Sequence, residues 1–164
     1  MRALPIESTP MPAARKRPAP ILRVVPATLE HAERQSKLME RVYGGQASYS
    51  SQMFTPAQFA HHDAVFPEGQ FVALHGDEVV GLTVSMRIRF DPARPFIEPW
   101  WATVGAGWLC HLPDGDWLYG VESCVHPDYR GGGVGGKLME ARFEVAKELN
   151  LRGMVAGSAV IDYY

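Results

Sequence analysis

The stretch VHPDYRGGGVGGKL, from Val125 to Leu138, joins an apolar segment to an amphipathic segment through a run of glycines. The first backbone N–H groups of a helix have no partner inside the helix, and the helix dipole places partial positive charge beside them. Glycine adopts positive φ angles without steric penalty, and its missing Cβ atom lets an anion approach the main chain. The stretch therefore predicts a turn that binds phosphate, and with it a phosphorylated cofactor.

A strand and a helix are predicted on either side of these glycines. Trp117–Val125 has strand character, and Pro127 marks the point where regular pairing stops. After the glycines, apolar residues recur at helical spacing while charged residues occupy the other faces. The apolar residues of this predicted helix are Val134, Leu138, Ala141, Val145 and Leu149.

Two phosphate-binding motifs match the letters of this stretch but not its context. Gly131, Gly133 and Gly136 satisfy G-x-G-x-x-G, yet residues 126–130 separate them from the strand that a dinucleotide fingerprint requires next to its first glycine. A Walker A loop needs a hydroxyl where this chain has Leu138. A nucleotide triphosphatase is therefore not expected. A nicotinamide-dependent enzyme stays open as an alternative function.

A more specific pattern is R-x-x-G-x-G at Arg130, Gly133 and Gly135, preceded by VHPDY. With its preceding strand, this pattern resembles the signature of the GNAT superfamily of acetyl-coenzyme A dependent N-acetyltransferases. The resemblance runs from about residue 22 to residue 164, and residues 117–157 also look like GNAT domains that occur beside carbon–nitrogen hydrolases. It implies an α+β fold, in which a mostly antiparallel mixed sheet is flanked by helices and its fourth and fifth strands are parallel and splayed.

The resemblance also implies an activity and a cofactor site. The expected reaction is direct transfer of an acetyl group from acetyl-CoA, as co-substrate, to a primary amine of a small molecule or protein. Two roles are open for Arg130, which either reaches a phosphate or braces the turn. The expected cofactor-binding residues are Val125, Arg130, Gly131, Gly132, Gly133, Val134, Gly135, Gly136 and Lys137.

The expected catalytic residues, Glu122, Ser123 and Cys124, lie at the end of the predicted strand. By resemblance to the family, a backbone N–H near Ser123 or Cys124 polarises the thioester carbonyl. Glu122 is the candidate base, because a primary amine is mostly protonated at neutral pH and burial can raise the pKa of an acid toward that range. An exposed strand carboxylate or an ion pair with an arginine is the alternative interpretation. Weaker candidates for the base are His111, Asp116 and Tyr119.

The segments before residue 91 carry local start and stop signals. Residues 22–25 are a short strand candidate, and Thr28 is a candidate cap for a helix that ends at Gly44-Gly45. Thr55-Pro56-Ala57-Gln58 combines a capping box with proline at the first helical position. On this second helix His61 and His62 are expected to form a polar face.

A hairpin is predicted next, from residues 70–75, a Gly76-Asp77 turn and residues 79–90. In its second strand apolar and polar residues alternate, which predicts one buried face and one wet face. The residues expected to be buried are Leu82, Val84, Met86 and Ile88, and those expected to be wet are Thr83, Ser85, Arg87 and Arg89. Residues 91–116, rich in proline and tryptophan, predict an elaborated loop or short helix near the substrate, and residues 153–157 a fifth strand.

The length of 164 residues predicts one domain, at residues 21–164, after a disordered Pro/Arg-rich tail at residues 1–20. Compared with the family, the domain is expected to lack the last helix and strands. The tyrosine that many members use as an acid cannot be assigned to Tyr163 or Tyr164. The chain is then truncated, completed by a partner, or inactive; a non-catalytic acyl-CoA sensor or docking module is the alternative function.

Composition excludes other classes of function. With 16 basic and 18 acidic residues and a net charge of −2, nothing favours binding to nucleic acid or to a membrane. No apolar run approaches the roughly 20 residues of a membrane helix, so a cytoplasmic protein is expected. A homodimer is a separate expectation. The pairs Cys110-His111 and Cys124-x-His126 do not have a recognised zinc spacing, so no metal is expected.

Overall fold

The structure, a computed structural model, describes residues 22–45, 52–94 and 98–157. The predicted tail at residues 1–20 and the two C-terminal tyrosines, Tyr163 and Tyr164, lie outside these ranges. The described residues form five strands and four helices. In chain order these are β1 (Leu22–Pro26), α1 (Ala32–Tyr43), α2 (Pro56–Val65), β2 (Phe71–His75), β3 (Glu78–Ile88), α3 (Trp100–Thr103), β4 (Trp117–Val125), α4 (Val134–Glu148) and β5 (Met154–Ala156).

The five strands form one mixed sheet in the order β1-β2-β3-β4-β5. Neighbouring strands are antiparallel except β4 and β5, which are parallel, as the family resemblance implies. The predicted hairpin is confirmed: β2 ends at His75, β3 begins at Glu78, and Gly76 has the positive φ of 63° that the two-residue turn requires.

Helices cover both faces of this sheet. The helix α1 packs on β3 and β4, and α2 packs on α1. On this side the buried core includes Met39, Leu82, Val84 and Met86. The helix α4 packs across β1 to β4 on the other side, where Leu138 is fully buried.

The prediction of a wet face on β3 is wrong at Thr83 and Ser85, which are both 0% exposed. The reason is that α4 lies over this face. A Cβ atom at Gly81 would come within 2.9 Å of Val134 Cγ1, which shows how closely the helix approaches the strand. Further along β3, Arg87 is half-buried, and only Arg89 is exposed as expected.

The predicted helix starts are confirmed with one change. At α2 the Thr55 side chain accepts a hydrogen bond from the Gln58 amide, the reciprocal bond of the capping box is present, and Pro56 is the first helical residue. Before α1, the chain passes through a 3-10 turn at Leu29–His31, in which the Thr28 amide donates to His31 Nδ1 at 3.0 Å.

The tryptophan-rich segment contains the short helix α3 and then a loop whose main chain is hydrogen-bonded to side chains of α2. Gln58 Nε2 donates to the Ala106 carbonyl at 2.9 Å, and His62 Nε2 lies 2.7 Å from the Gly107 carbonyl. The prediction of a polar histidine face is therefore wrong at His62, which is only 1% exposed and packs against the ring of Phe59.

Candidate active site

An opening between β4 and β5 lies at the centre of the candidate site. The two strands pair only from Leu118–Met154 to Gly120–Ala156. Beyond Gly120, β4 continues to Val125, whereas β5 has ended. Within the described ranges, the main chain of residues 121–125 is therefore not paired on its β5 side, as the expected splay requires.

A β-bulge lies in β4 where this opening begins. Val84 pairs with Glu122 and Ser85 pairs with Gly120, so Val121 is an extra residue. Its carbonyl accepts a hydrogen bond from Trp100 Nε1 at 3.0 Å. The carbonyl of Glu122 accepts hydrogen bonds from the Thr83 hydroxyl at 3.1 Å and from Arg142 Nη2. Side chains from α3, β3 and α4 thus fix the main chain of the bulge.

The segment between β4 and the glycines is fixed to the rest of the domain. His126 Nδ1 accepts a hydrogen bond from the Asp128 amide at 3.2 Å, which caps a 3-10 turn at Pro127–Tyr129. The Tyr129 hydroxyl lies 2.9 Å from His75 Nδ1 and 3.2 Å from a Glu78 carboxylate oxygen. The glycine turn is therefore attached to the β2–β3 hairpin.

The glycines present an open main-chain surface at the start of α4. Gly131 and Gly133 have φ angles of 76° and 80°, a region that side chains rarely adopt. A Cβ atom at Gly131, Gly133 or Gly136 would meet nothing within 4 Å, and one at Gly135 only Val125 Cγ2 at 3.9 Å. No side chain caps α4 at Gly133. The free amides and the helix dipole make this end suitable for an anion.

The other predicted cofactor residues differ in what they can offer. Val134 is buried against the sheet, so only its amide is available to a ligand. Gly132 and Lys137 are exposed, and Val125 is half-buried. Arg130 is exposed, and its Nε lies 3.4 Å from the Val125 carbonyl, which matches the bracing role.

Glu122 is half-buried and hydrogen-bonded. Its Oε1 accepts from the Tyr43 hydroxyl at 2.9 Å and from the Ser123 amide at 2.8 Å. Burial raises the pKa of this carboxyl, while the Tyr43 and Ser123 hydrogen bonds and the positive charge of Arg142 act in the opposite direction. None of the ion pairs in the described ranges includes Glu122. A carboxyl group in this environment has the properties of a general base.

Ser123 and Cys124 contribute less than their side chains suggest. Ser123 is exposed, and its amide is already hydrogen-bonded to the Glu122 carboxylate. The Cys124 thiol is buried; burial and the nearby Glu122 carboxylate raise its pKa well above the usual value. A thiol of this kind is a poor nucleophile, since the thiolate is the reactive form.

The weaker candidates for the base are placed elsewhere or otherwise engaged. His111 Nδ1 accepts from the Arg87 amide at 3.1 Å, and Asp116 forms an ion pair with Arg152 at 3.2 Å, near the start of β4. The buried Tyr119 hydroxyl bonds to the main chain of Gly157, just after β5. Only Tyr119 among them therefore borders the opening.

Two residues of the site were not identified from the sequence. Arg142 lies four residues after Leu138 and three before Val145, so a charged residue occupies the apolar face of α4. A charged residue on the apolar face of a helix is the sequence feature that marks Arg142. Tyr43 lies on the apolar face of α1, and nothing local distinguishes it from a core tyrosine.

Within residues 22–45, 52–94 and 98–157 there is neither a metal-binding cluster nor a membrane-spanning helix. No cluster of three or more His, Cys, Asp or Glu side chains in these ranges is arranged to hold a metal ion. No helix there is both long enough and apolar enough to span a membrane.

Comparison with known proteins identifies relatives that contain this domain. The chain is 38% identical over 100 residues to the probable hydrolase YhcX of Bacillus subtilis (strain 168), a match that covers 60% of the chain and 19% of that protein. It is 30% identical over 112 residues to the uncharacterized N-acetyltransferase YkwB of the same organism, which covers 68% of the chain and 50% of that protein. The chain thus spans half or less of the length of either relative.

Solved structures share the fold. A GNAT-like decarboxylase, GphF, in complex with isobutyryl-CoA superposes with a TM-score of 0.68 at 24% identity, over 86% of this chain and 68% of that one. Residues 37–164 match the model of the acetyltransferase (GNAT) family. Since this match covers most of the chain, and the sheet opens beside a glycine turn as the motif predicts, the chain belongs to the GNAT acetyltransferase family.

Proposed function

We propose that the domain at residues 21–164 transfers an acetyl group from acetyl-CoA to a primary amine of a small molecule or a protein. The observation that carries this proposal is the arrangement along β4. Open glycine amides lie beyond its C-terminal end, and the half-buried Glu122 lies next to the bulge where β4 and β5 separate.

The glycine turn is the proposed diphosphate site. The chain has a net charge of −2, so the phosphates of coenzyme A need local donors rather than a general positive field. The amides of residues 131–136 and the exposed side chain of Lys137 are close enough in sequence to act together. The main chain of residues 121–125, which pairs with no described residue on its β5 side, then offers groups to the pantetheine arm.

Glu122 is the proposed general base. It accepts a proton from the amine as nitrogen attacks the thioester carbonyl; the C–N bond forms, the C–S bond breaks, and the thiolate of coenzyme A takes up a proton. The inert thiol of Cys124 favours direct transfer over an acyl-enzyme intermediate.

The test is release of free thiol from acetyl-CoA in the presence of a panel of primary amines. We expect release that depends on the amine, without an acylated protein detectable by mass spectrometry. Binding of acetyl-CoA without release for any amine would contradict the proposal and favour the non-catalytic sensor or docking module. The cytoplasmic location and the homodimer stay predictions.

A further inference from the structure

Arg142 is a buried charge in the core face of α4. It is 3% exposed, and none of the ion pairs in the described part of the chain includes it. Burial lowers the pKa of its guanidinium to about 10, so the group remains positively charged at neutral pH. The oxygens that bind this guanidinium are neutral, and the cost of removing its charge from water can exceed what such hydrogen bonds contribute to stability. Stability alone therefore does not explain why an arginine lies in the core at residue 142.

The guanidinium spans the two strands at the bulge. Its Nε donates to the Ser85 hydroxyl at 3.1 Å, and its Nη2 donates to the Val84 carbonyl at 2.8 Å and to the Glu122 carbonyl. Val84 and Glu122 are direct partners across β3 and β4, next to the extra residue. Arg142 therefore supplies donors to carbonyl groups where the regular ladder is interrupted.

The space for this group is provided by a glycine. A Cβ atom at Gly120 would lie 3.1 Å from Arg142 Nη1 and 3.2 Å from the Ala156 side chain. Gly120 and Ala156 form the last pair before β4 and β5 separate. The guanidinium therefore lies directly beneath the point at which the opening begins.

We propose that Arg142 is a positioning residue for acyl transfer, which holds the main chain of Glu122 at the bulge and places a positive charge behind its carboxylate. This inference rests on the proposed role of Glu122 as the base. The other groups that face this carboxylate are the Tyr43 hydroxyl from α1, the Ser123 amide and the Cys124 thiol. Among these groups Arg142 is the cation.

Two separate effects follow from this arrangement. The guanidinium bonds to Ser85 and Val84 on β3 and to the Glu122 carbonyl on β4, and thereby fixes the Glu122 main chain and the direction of its side chain. Reaction rates are sensitive to small misplacements of such a group. The positive charge favours the ionised form of the carboxylate and partly offsets the effect of burial. A neutral side chain at residue 142 removes both effects, whereas lysine retains the charge and loses the planar fork.

The test compares Arg142→Gln, Arg142→Lys and the control Lys147→Gln. Lys147 lies on the same helix with 71% of its side chain exposed, so its replacement removes the same charge without disturbing the bulge. Three quantities are measured: acetyl-CoA affinity by calorimetry, the pH profile of amine-dependent thiol release, and the pKa of Glu122 by ¹³C NMR of its carboxyl carbon.

For Arg142→Gln we expect a turnover loss of about 100-fold, acetyl-CoA affinity within about threefold of wild type, and an upward movement of the acid limb and the Glu122 pKa by about 1 pH unit. Arg142→Lys is expected to lose turnover while it keeps the acid limb in place. Lys147→Gln is expected to match wild type in all three quantities.

A folded Arg142→Gln variant with unchanged turnover and an unchanged Glu122 pKa would overturn the proposal. If wild type releases no thiol with any amine, the proposed function fails, and the NMR measurement still decides the electrostatic role of Arg142. Should neither Arg142 variant fold, Ser85→Ala removes the hydroxyl that anchors Nε. Because this variant keeps the charge of Arg142, only turnover is expected to fall, and a turnover equal to that of wild type would then also overturn the proposal.

Discussion

The Glu122 carboxylate lies between the Tyr43 hydroxyl from α1 and the amide of Ser123. The main-chain carbonyl of Glu122 accepts a hydrogen bond from Arg142 of α4. Two helices that are distant in sequence, α1 and α4, therefore contribute to the chemistry of one strand residue. A carboxylate at this strand position can be predicted from the sequence, because β4 can be recognised locally. Its partners cannot, because Tyr43 and Arg142 meet it only after the sheet has formed between the helices.

Replacement of this carboxylate by the isosteric amide tests its role as the base. For Glu122→Gln we expect a turnover loss of about 100-fold or more, which is typical of a lost general base. Burial raises the pKa of Glu122, so wild-type activity should increase with pH as this group loses its proton, and the variant should lose that dependence. The measurement is amine-dependent thiol release between pH 5 and pH 9.

The matched control for this variant is Glu148→Gln, an exposed carboxylate near the end of α4. The control should retain both the rate and the pH profile of wild type. A Glu122→Gln protein with normal turnover and a normal acid limb would show that the proton leaves the amine by another route.

At the scale of elements, α2 holds the tryptophan-rich segment in place through side chains that its sequence presents as polar. His62 Nε2 must carry its proton, since its partner is the Gly107 carbonyl. Gly107 belongs to a loop in which Gly105, Ala106 and Leu109 also have positive φ angles. We call the hydrogen bonds from Gln58 and His62 to this loop the α2 clamp. Because Trp100 from the same segment donates to the Val121 carbonyl, the α2 clamp also supports the bulge.

Loss of the His62 donor should therefore be costly. For His62→Phe we expect the ring to remain in the aromatic cluster and the free energy of unfolding to fall by about 1–3 kcal/mol, because the Gly107 carbonyl loses its partner. Chemical denaturation measures this change. His61→Phe, on the same helix, is the control and should change stability by less than about 0.5 kcal/mol; equal losses in the two variants would contradict the α2 clamp.

The elements that were predicted correctly have local signals. The capping box and Pro56 specify the start of α2, the Gly76-Asp77 pair specifies the hairpin turn, and the spacing of apolar residues specifies α4. The burial of Thr83 and Ser85 depends instead on α4 folding back over β3. The bulge at Val121 likewise depends on a register that two strands set together, so neither feature could be predicted from alternation along one strand.

At the scale of the whole molecule, the buried His62 and the half-buried Asp63 make stability depend on pH in opposite directions. Burial lowers the pKa of His62 from 6.5 to about 4, so between these values the unfolded chain binds the proton and stability falls as the pH falls. Burial raises the pKa of Asp63 from 3.8 to about 6, so the folded chain binds that proton and stability falls as the pH rises.

The variant His62→Phe separates these contributions. The stability advantage of wild type over His62→Phe should shrink as the pH falls from 6.5 toward 4, because only wild type has the histidine that favours the unfolded state when protonated. Urea unfolding at several pH values measures the difference. An advantage that stays constant across this range would mean that His62 titrates normally in the folded protein.

The exposed amides at the start of α4 are the proposed cofactor site, on which the proposed function of the whole domain depends. Gly135 is suited to test them, because a Cβ atom there meets only Val125 Cγ2 at 3.9 Å and leucine favours a helix more than glycine does. Side chains of a helix tilt toward its N-terminus, so leucine at this position should cover the amides without disturbing the fold. Glu140→Leu, an exposed position on the same helix, is the control.

Titration calorimetry of acetyl-CoA into wild type, Gly135→Leu and Glu140→Leu tests the diphosphate site most directly. We expect wild type and Glu140→Leu to bind with equal affinity, and Gly135→Leu to bind at least about tenfold more weakly while its unfolding temperature is unchanged or higher. Equal affinity in all three proteins, or no heat of binding in wild type, would contradict the assignment of the glycine turn as the cofactor site.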